Sequence, residues 1–293
     1  MTTRRFNLRL PDGRDLDVFD SGPLDGAVLL FHHGTPGSGA SIRATDSAAH
    51  RLGLRVITAS RPGYGDSTRS PGRRIVDVVD DSAAVLDAVG ADRCFVAGWS
   101  GGGPHALACG ARLSARVRAV LVIAGIAPYG FPGLDFLAGM GEENIIEFGK
   151  TLDGEAVLRP YLDEQRAQVS RATAADLAGT FGSILPAVDR AVLTESFAED
   201  LTAEIQEGIR VSVDGWLDDD LAFTAPWGFA LTEVAVPTAV WQGAHDLMVP
   251  FAHGTWLAEQ IPGVTAHLEH DEGHLSIAIG AIDRMLQELV APR

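Results

Sequence analysis

Ser100 lies in the pentapeptide Gly98-Trp99-Ser100-Gly101-Gly102, which has the form G-x-S-x-G. This pattern is typical of a sharp turn from a strand into a helix, and such a turn exposes one serine hydroxyl. The pentapeptide alone is weak evidence, because the chain contains 33 glycines among 293 residues. Ser100 is therefore a candidate nucleophile whose partners must be sought elsewhere in the chain.

One histidine and one aspartate, each placed directly after a predicted strand, could activate this hydroxyl. A serine needs a base, and histidine is the usual base because its pKa lies near neutral pH. Of the nine histidines, His274 follows the last predicted strand, where an open parallel sheet places its reactive groups. Asp246 follows the preceding strand and would orient the imidazole. Taken alone, each would be interpreted as an ordinary loop or turn residue.

Two backbone N–H groups could stabilise the negative oxygen that forms when a serine attacks a carbonyl. The first belongs to Gly101, at the start of the predicted helix after Ser100, where the helix dipole also favours negative charge. The second is expected in the glycine-rich loop after the strand Ala27–His32. Because Pro36 has no N–H, Thr35 is the preferred donor in that loop.

The composition is that of an ordinary globular protein, with 46% hydrophobic and 21% charged residues. The formal net charge of −16 disfavours nucleic acid and anionic membranes as partners, since both are bound by clustered lysine and arginine. No apolar run approaches the roughly 20 residues that span a bilayer, and the first ten residues do not resemble a signal peptide. We therefore expect a cytoplasmic protein whose two cysteines, Cys94 and Cys109, are buried thiols.

Strands alternate with helices along most of the chain, which predicts an α/β fold with a mostly parallel sheet. The apolar and alternating runs predict strands over Arg4–Leu10, Asp15–Asp20, Ala27–His32, Leu54–Ala59, Cys94–Ala97, Val117–Ala124, Val236–Trp241 and Val264–Leu268. Helical spacing predicts helices over Ile75–Val89, Gly102–Leu113, Thr255–Gln260 and Ile277–Leu289. Residues 127–231 contain no buried-strand pattern and are interpreted as a helical insertion.

Five segments together resemble the α/β-hydrolase superfamily, in its serine-nucleophile branch with a helical cap. These segments are His33–Gly37, Arg61–Ser67, Gly98–Gly102, Gly243–Asp246 and Glu272–His274. The resemblance implies the α/β-hydrolase fold, with a central sheet of about eight strands and a cap inserted after the sixth. Residues 1–126 and 232–293 would form the core, and residues 127–231 the cap or lid. It also matches the chain order nucleophile, acid, base (Ser100, Asp246, His274) and implies no cofactor.

The leading hypothesis is a serine hydrolase that cleaves a small to medium apolar carboxylic ester through an acyl-enzyme. A proline iminopeptidase-like aminopeptidase, a carbon–carbon bond hydrolase, and a lactonase or perhydrolase share the same triad and are left open. Epoxide hydrolases and haloalkane dehalogenases are disfavoured because they use an aspartate nucleophile. From other classes, a slow-turnover ligand-binding or signalling protein and a cofactor-free oxygenase remain alternatives. The expected partner is a small-molecule substrate, and a homodimer is left open.

Three further groups of residues have types or spacings that could serve a function. A zinc site at His267, His270 and His274 is not expected, because the first two are an odd number of residues apart in a strand and would face opposite sides. The run Asp218–Asp220 is interpreted as a helix start or a solvated turn. Aromatic residues near the end of the insertion usually form core, but at least one of Trp216, Trp227 and Phe229 is expected to face the substrate pocket.

Overall fold

A computed structural model describes residues 3–291 of the chain. Its central element is an eight-stranded sheet with the strand order β1-β2-β4-β3-β5-β6-β7-β8. The strands are β1 (Arg4–Arg9), β2 (Asp15–Ser21), β3 (Ala27–His32), β4 (Leu54–Ala59), β5 (Cys94–Trp99), β6 (Val117–Ile123), β7 (Thr238–Gly243) and β8 (Thr265–Glu269). The pairs β1–β2 and β2–β4 are antiparallel, and the other neighbouring strands are parallel.

Helices connect the strands and cover the sheet. The α-helices are α1 (Arg43–Arg51), α2 (Val78–Ala88), α3 (Gly102–Arg112), α4 (Glu142–Leu152), α5 (Glu155–Val169), α6 (Leu177–Thr180), α7 (Ala187–Val192), α8 (Glu195–Gly208), α9 (Asp214–Thr224), α10 (Phe251–Gln260), α11 (His274–Gly280) and α12 (Ile282–Val290). Short 3₁₀ helices span Ile75–Asp77, Gly182–Ile184 and Leu231–Glu233. Within residues 3–291, no helix is both long and apolar enough to cross a membrane.

The central strand β5 shows why an uninterrupted apolar run suits this sheet. Its alternate side chains point to opposite faces, so both faces must be apolar when both are covered. Phe95, Ala97 and Trp99 pack into one hydrophobic core, whereas Cys94 and Val96 pack into the other. The carboxyl end of β5, at Trp99, therefore leads directly from the middle of the molecule into the loop that holds Ser100.

The predicted strands are all present, Ala27–His32 and Leu54–Ala59 with the predicted bounds and the others with ends shifted by at most two residues. The predicted helix Ile277–Leu289 is wrong in one respect, because two helices, α11 and α12, meet at Ala281 and α11 begins three residues earlier, at His274. Helix α1 was not predicted. Between β6 and β7 the described chain contains helices and no strand. We call α4–α9 (residues 142–224) the helical segment; the domain boundaries at 126 and 232 stay a prediction.

Candidate active site

Ser100 occupies the turn between β5 and α3 and has a φ angle of 55°. This left-handed backbone conformation is uncommon for a residue other than glycine, and strained positions of this kind cluster at functional sites. The turn is held by two hydrogen bonds: Ser100 N donates to Ile123 O at 2.9 Å, and Gly103 N donates to Ser100 O at 2.9 Å. The backbone therefore fixes the serine at the carboxyl end of the sheet.

The outer glycines of the G-x-S-x-G motif are required by close backbone approach. A Cβ atom at Gly98 would collide with the carbonyl group of Gly102, and one at Gly102 would collide with the carbonyl group of His32. Since His32 ends the neighbouring strand β3, the second glycine lets the start of α3 pack directly against that strand. The motif thus encodes a tight turn, as the sequence predicts.

Asp246 and His274 meet, although 28 residues separate them. Asp246 Oδ2 lies 2.7 Å from His274 Nδ1, and both residues are buried. The second carboxylate oxygen, Oδ1, accepts backbone hydrogen bonds from Met248 N at 2.8 Å and Val249 N at 2.7 Å. Gln242 Nε2 also donates to Oδ2, at 2.9 Å. The aspartate is therefore fixed on both sides, and Nδ1 of the imidazole is directed at it.

The electrostatic surroundings favour the protonated form of His274. Burial by itself disfavours the imidazolium, but the negative charge and hydrogen bond of Asp246 outweigh it, with a further contribution from the charge of Asp189. The net effect raises the pKa of His274 above its ordinary value. A base with a raised pKa takes a proton more readily, and it is neutral when the pH lies above that pKa.

The imidazole also lies beside the strand end that carries the serine. The ring of Trp99, the residue before Ser100, is 5.7 Å from the His274 ring between centroids. In residues 3–291, the hydrogen bonds of His274 include none from Ser100 Oγ. Bonds of this kind are often long or poorly aligned without substrate and tighten on binding. The structure thus joins Asp246 to His274 and places the imidazole beside the residue that precedes Ser100, while their catalytic roles remain predictions.

Both predicted oxyanion donors line the same cavity as Ser100. This cavity, of about 150 Å³, is bordered by Thr35, Ser100 and Gly101. A Cβ atom at Gly101 would collide with Oγ1 of Thr35, so the two loops are in direct contact. The Thr35–Pro36 peptide is cis. The predicted nucleophile and the two predicted oxyanion donors therefore border one cavity at the carboxyl end of the strands.

A buried aspartate in the helical segment holds the Thr35 loop in place. Asp219 Oδ2 accepts hydrogen bonds from Thr35 Oγ1 at 2.7 Å and from Tyr64 Oη at 2.8 Å. Arg61 and Arg73 reach the same carboxylate at 2.6 and 2.7 Å. Arg61 also donates to the carbonyl groups of His33 at 2.6 Å and Gly34 at 2.8 Å. Burial disfavours the carboxylate, but the two arginines outweigh it and hold the pKa of Asp219 well below its usual range.

The interpretation of Asp218–Asp220 as a helix start or solvated turn is therefore wrong. The three aspartates lie in the interior of α9 and are all buried. They differ in their surroundings, since Asp218 pairs with Arg69 at 2.8 Å, Asp219 with the arginines just described, and Asp220 lines the cavity. Charged residues are rarely buried without partners. The sequence did contain a signal for this buried cluster. Three acids stand among the apolar residues of one helix, and Arg61 and Tyr64 in a distant loop could pair with them.

Asp189 is a second residue of the helical segment that the sequence did not reveal. It comes from α7 and is fully buried against the start of α11, the helix that begins with His274. Its Oδ2 accepts a hydrogen bond from His274 N at 2.9 Å, and its Oδ1 accepts from Leu275 N at 3.0 Å and Ser276 N at 2.8 Å. These are the unpaired N–H groups at the start of a helix. A residue from another part of the chain therefore caps the helix of the candidate base.

Aromatic side chains of the helical segment form much of the cavity wall. Trp216 lines the cavity beside Ser100, as expected for at least one of the three aromatic residues singled out. Trp227 and Phe229 stack on each other at 5.9 Å and line a different cavity. His33 orients the Thr35 loop, because its Nδ1 contacts Gly34 O at 2.8 Å and its Nε2 accepts from Arg61 N at 3.1 Å. Cys94 and Cys109 are buried free thiols.

Comparison with known proteins places this architecture in a family. Residues 27–281 match a family model described as the alpha/beta hydrolase fold. The chain is 37% identical over 93 residues to a bifunctional esterase/perhydrolase of Acinetobacter calcoaceticus, and the match covers 31% of this chain and 34% of that relative. The match thus spans about a third of the relative's length. A 2-hydroxy-6-oxononadienedioate/2-hydroxy-6-oxononatrienedioate hydrolase of Burkholderia vietnamiensis is 25% identical over 93% of this chain and 89% of its own.

Solved structures agree with this placement at the level of the fold. The crystal structure of a bromoperoxidase from Bacillus anthracis superposes with a TM-score of 0.70 at 22% identity, covering 98% of this chain and 99% of that one. Structural similarity at this level of sequence identity supports a shared fold, whereas the chemistry must be inferred from the site itself. With the family model matching most of its length, the chain belongs to the alpha/beta hydrolase family.

Proposed function

We propose that this hydrolase is a serine enzyme that cleaves small to medium apolar carboxylic esters through an acyl-enzyme. The observation that carries the proposal is the strained turn at Ser100, whose φ is 55°, beside the Asp246–His274 pair with its 2.7 Å contact. A half-buried serine at a strained turn, with an imidazole held by a carboxylate beside that strand end, is the arrangement that can convert a hydroxyl into a nucleophile.

Each named residue then has one task. Ser100 Oγ attacks the carbonyl carbon of the ester while His274 Nε2 takes the hydroxyl proton. The N–H groups of Gly101 and Thr35 donate to the negative oxygen, and Asp246 stabilises the imidazolium. The bond between the carbonyl carbon and the alcohol oxygen breaks, and His274 gives its proton to that oxygen. Water then attacks the acyl carbon, its proton passes through His274 back to Ser100, and the acid leaves.

The size and lining of the cavity support a small substrate with an apolar part. The cavity of about 150 Å³ is lined by aromatic and aliphatic side chains, including Phe148, Trp216 and Phe223. The relative from Acinetobacter calcoaceticus is named an esterase and perhydrolase. Ester hydrolysis is the simplest reaction that the proposed residues perform, because it needs no further reagent than water.

A carbon–carbon bond hydrolase is the second candidate. It is favoured by the relative from Burkholderia vietnamiensis, whose similarity extends over 93% of this chain. That relative's name denotes cleavage of an oxo-dienoate, and the same serine and histidine could serve such a reaction. Turnover of a vinylogous 2-hydroxy-6-oxo acid at a higher kcat/KM than any ester would favour this candidate over the first.

Replacement of the serine tests the proposal directly. We expect Ser100→Ala to lower turnover of p-nitrophenyl butanoate by about 10³-fold or more, because the nucleophile is lost while the fold is retained. A fluorophosphonate probe should label the wild-type chain and not the variant. Ser47→Ala, at an exposed serine of α1, is the matched control and should change neither result. Equal turnover in Ser100→Ala and the wild type would refute the assignment.

A further inference from the structure

One wall of the cavity beside Ser100 is acidic. Glu147 of α4 and Asp220 of α9 both line it, together with Glu143. Among the described residues, no lysine or arginine borders this cavity. Lys150 lies 5.4 Å over the ring of Tyr161 and is not part of the lining. The pocket therefore carries negative groups that the proposed reaction does not use.

Asp220 is buried without a hydrogen-bond partner for one of its oxygens. The residue is 1% exposed, and within residues 3–291 no donor contacts its Oδ2. Its neighbour Asp219 is equally buried, yet two arginines, a tyrosine and a threonine contact that carboxylate. A buried carboxylate oxygen without a donor is costly. Such a group at a cavity wall is an acceptor available to whatever enters the cavity.

Glu147 completes a pair with Asp220. It is half-buried at the cavity wall, and its Oε1 accepts a hydrogen bond from Trp216 Nε1 at 2.9 Å. Burial raises the pKa of Glu147 to about 7, although its hydrogen bonds to Trp216 and Asp220 lower it. Burial also raises the pKa of Asp220 well above its usual range, and the charges of Glu147 and Asp219 add to this, while Arg73 opposes it. The protonated forms of both carboxyl groups are therefore favoured when no cation is present.

We propose that Glu147 and Asp220 bind a protonated amine of the substrate, so that the esters cleaved at Ser100 carry a basic nitrogen. The inference rests on the proposed function for the ester and on the cavity for the amine. An ammonium group offers several N–H donors and a positive charge, which together satisfy both carboxylates. A neutral hydroxyl offers one donor and leaves the charge of the pair uncompensated. Nearby Trp216 and Phe223 provide aromatic surface of the kind that also attracts cations.

Binding of a small cation tests the amine site without any catalysis. We expect n-butylammonium to bind the wild-type chain at pH 7 about tenfold or more tightly than 1-butanol, measured by isothermal titration calorimetry. The two probes have the same carbon chain and differ in charge and in the number of donors. Equal affinity for the two probes, or tighter binding of the alcohol, would overturn the inference.

Variants locate the site. Glu147→Gln and Asp220→Asn keep the shape of each side chain, and both remove a buried charge that lacks a cation, so the fold should be retained. Each should reduce the preference for the ammonium to about threefold or less. Glu143→Gln is the matched control: it lines the same cavity, but Ser183 N and Oγ already donate to its carboxylate. A preference that persists in both variants, or that disappears in Glu143→Gln alone, would place the cation elsewhere and refute the assignment.

Kinetics connects the amine site to the substrate. We expect methyl 6-aminohexanoate, whose ammonium group carries three N–H donors, to have about a tenfold higher kcat/KM than methyl heptanoate, its isostere with CH₃ in place of NH₃⁺. The preference should disappear in Asp220→Asn. Ester turnover with no ammonium preference in either assay would reject the inference and leave the proposed function standing. Selective ammonium binding without turnover of any ester would reject the proposed function and retain the cation site.

Discussion

The site is built from two parts of the chain that contribute in different ways. The sheet side, meaning the strands together with the turns, loops and helix starts that follow them, supplies Ser100 in the turn after β5, Asp246 in the loop after β7 and His274 at the start of α11. The helical segment supplies Asp189 and Asp219, which make or break no bond in the proposed reaction but hold the backbone on which it depends. The comparison indicates that the reacting groups lie on the sheet side, whereas their positions are fixed by buried acids from outside it.

The largest effect on folding is expected at Asp219. Asp219→Asn leaves Arg61 and Arg73 buried without their carboxylate, and breaking a buried pair from one side costs about 3–5 kcal/mol. The free energy of unfolding, measured with urea, should fall by about that amount. Asp218→Asn is the control on the same helix. Its partner Arg69 is 25% exposed, so we expect a loss of about 1 kcal/mol. Equal losses in the two variants would contradict the distinction.

The sheet side could be predicted because its signals are local. Ser100 is marked by glycines within two residues of it, and Asp246 follows an apolar run typical of a buried strand, whereas His274 follows the partly buried edge strand β8. The Asp219 cluster has no such signal, because its partners Arg61 and Tyr64 lie 158 and 155 residues away in the chain. Sequence periodicity predicts which face of a helix or strand is buried. It does not predict which distant donor contacts a given buried acid.

The early start of α11 has the same origin. The apolar spacing from Ile277 to Leu289 is helical throughout, so one helix was expected. In the structure α11 starts at His274 because Asp189 accepts hydrogen bonds from its first N–H groups. Local propensity could not show this, since the cap comes from a different helix. The prediction failed where the helical segment contacts the sheet side.

A smaller effect, on both stability and chemistry, is expected at Asp189. Asp189→Asn keeps one oxygen acceptor and loses the other, so the free energy of unfolding should fall by about 1–2 kcal/mol. The negative charge of Asp189 contributes to the raised pKa of His274. Because the base must be neutral to act, the acidic limb of the kcat/KM profile should move to lower pH in the variant.

The pH profile of kcat/KM distinguishes an effect of Asp189 on the base His274 from an effect on stability alone. Asp163→Asn, at an exposed acid of α5, serves as the control and should leave both the unfolding free energy and the acidic limb in place. If Asp189→Asn unfolds more easily but retains the wild-type limb, then Asp189 stabilises the helix without affecting the base. That result would mean that the raised pKa of His274 depends on Asp246, on the sheet side, and not on Asp189.

The smallest effect is expected at Glu204, the helical-segment acid that contacts the loop after β3. Ser38 N donates to its Oε1 at 3.0 Å, and burial raises its pKa from 4.5 to about 8, against the lowering effects of that bond and of Arg61. A raised acid pKa means that the folded chain holds a proton which the unfolded chain releases. This contribution to stability is complete below about pH 4.5 and is lost as the pH rises through about 8.

Glu204→Gln removes the titration and keeps the shape of the side chain. The unfolding free energy of the wild type should therefore decrease relative to the variant by about 1 kcal/mol between pH 6 and pH 7. Parallel curves for the two proteins over that interval would mean that Glu204 is charged in the folded state. The acid would then, like Asp219, act on the loop that carries Thr35 as a charged carboxylate.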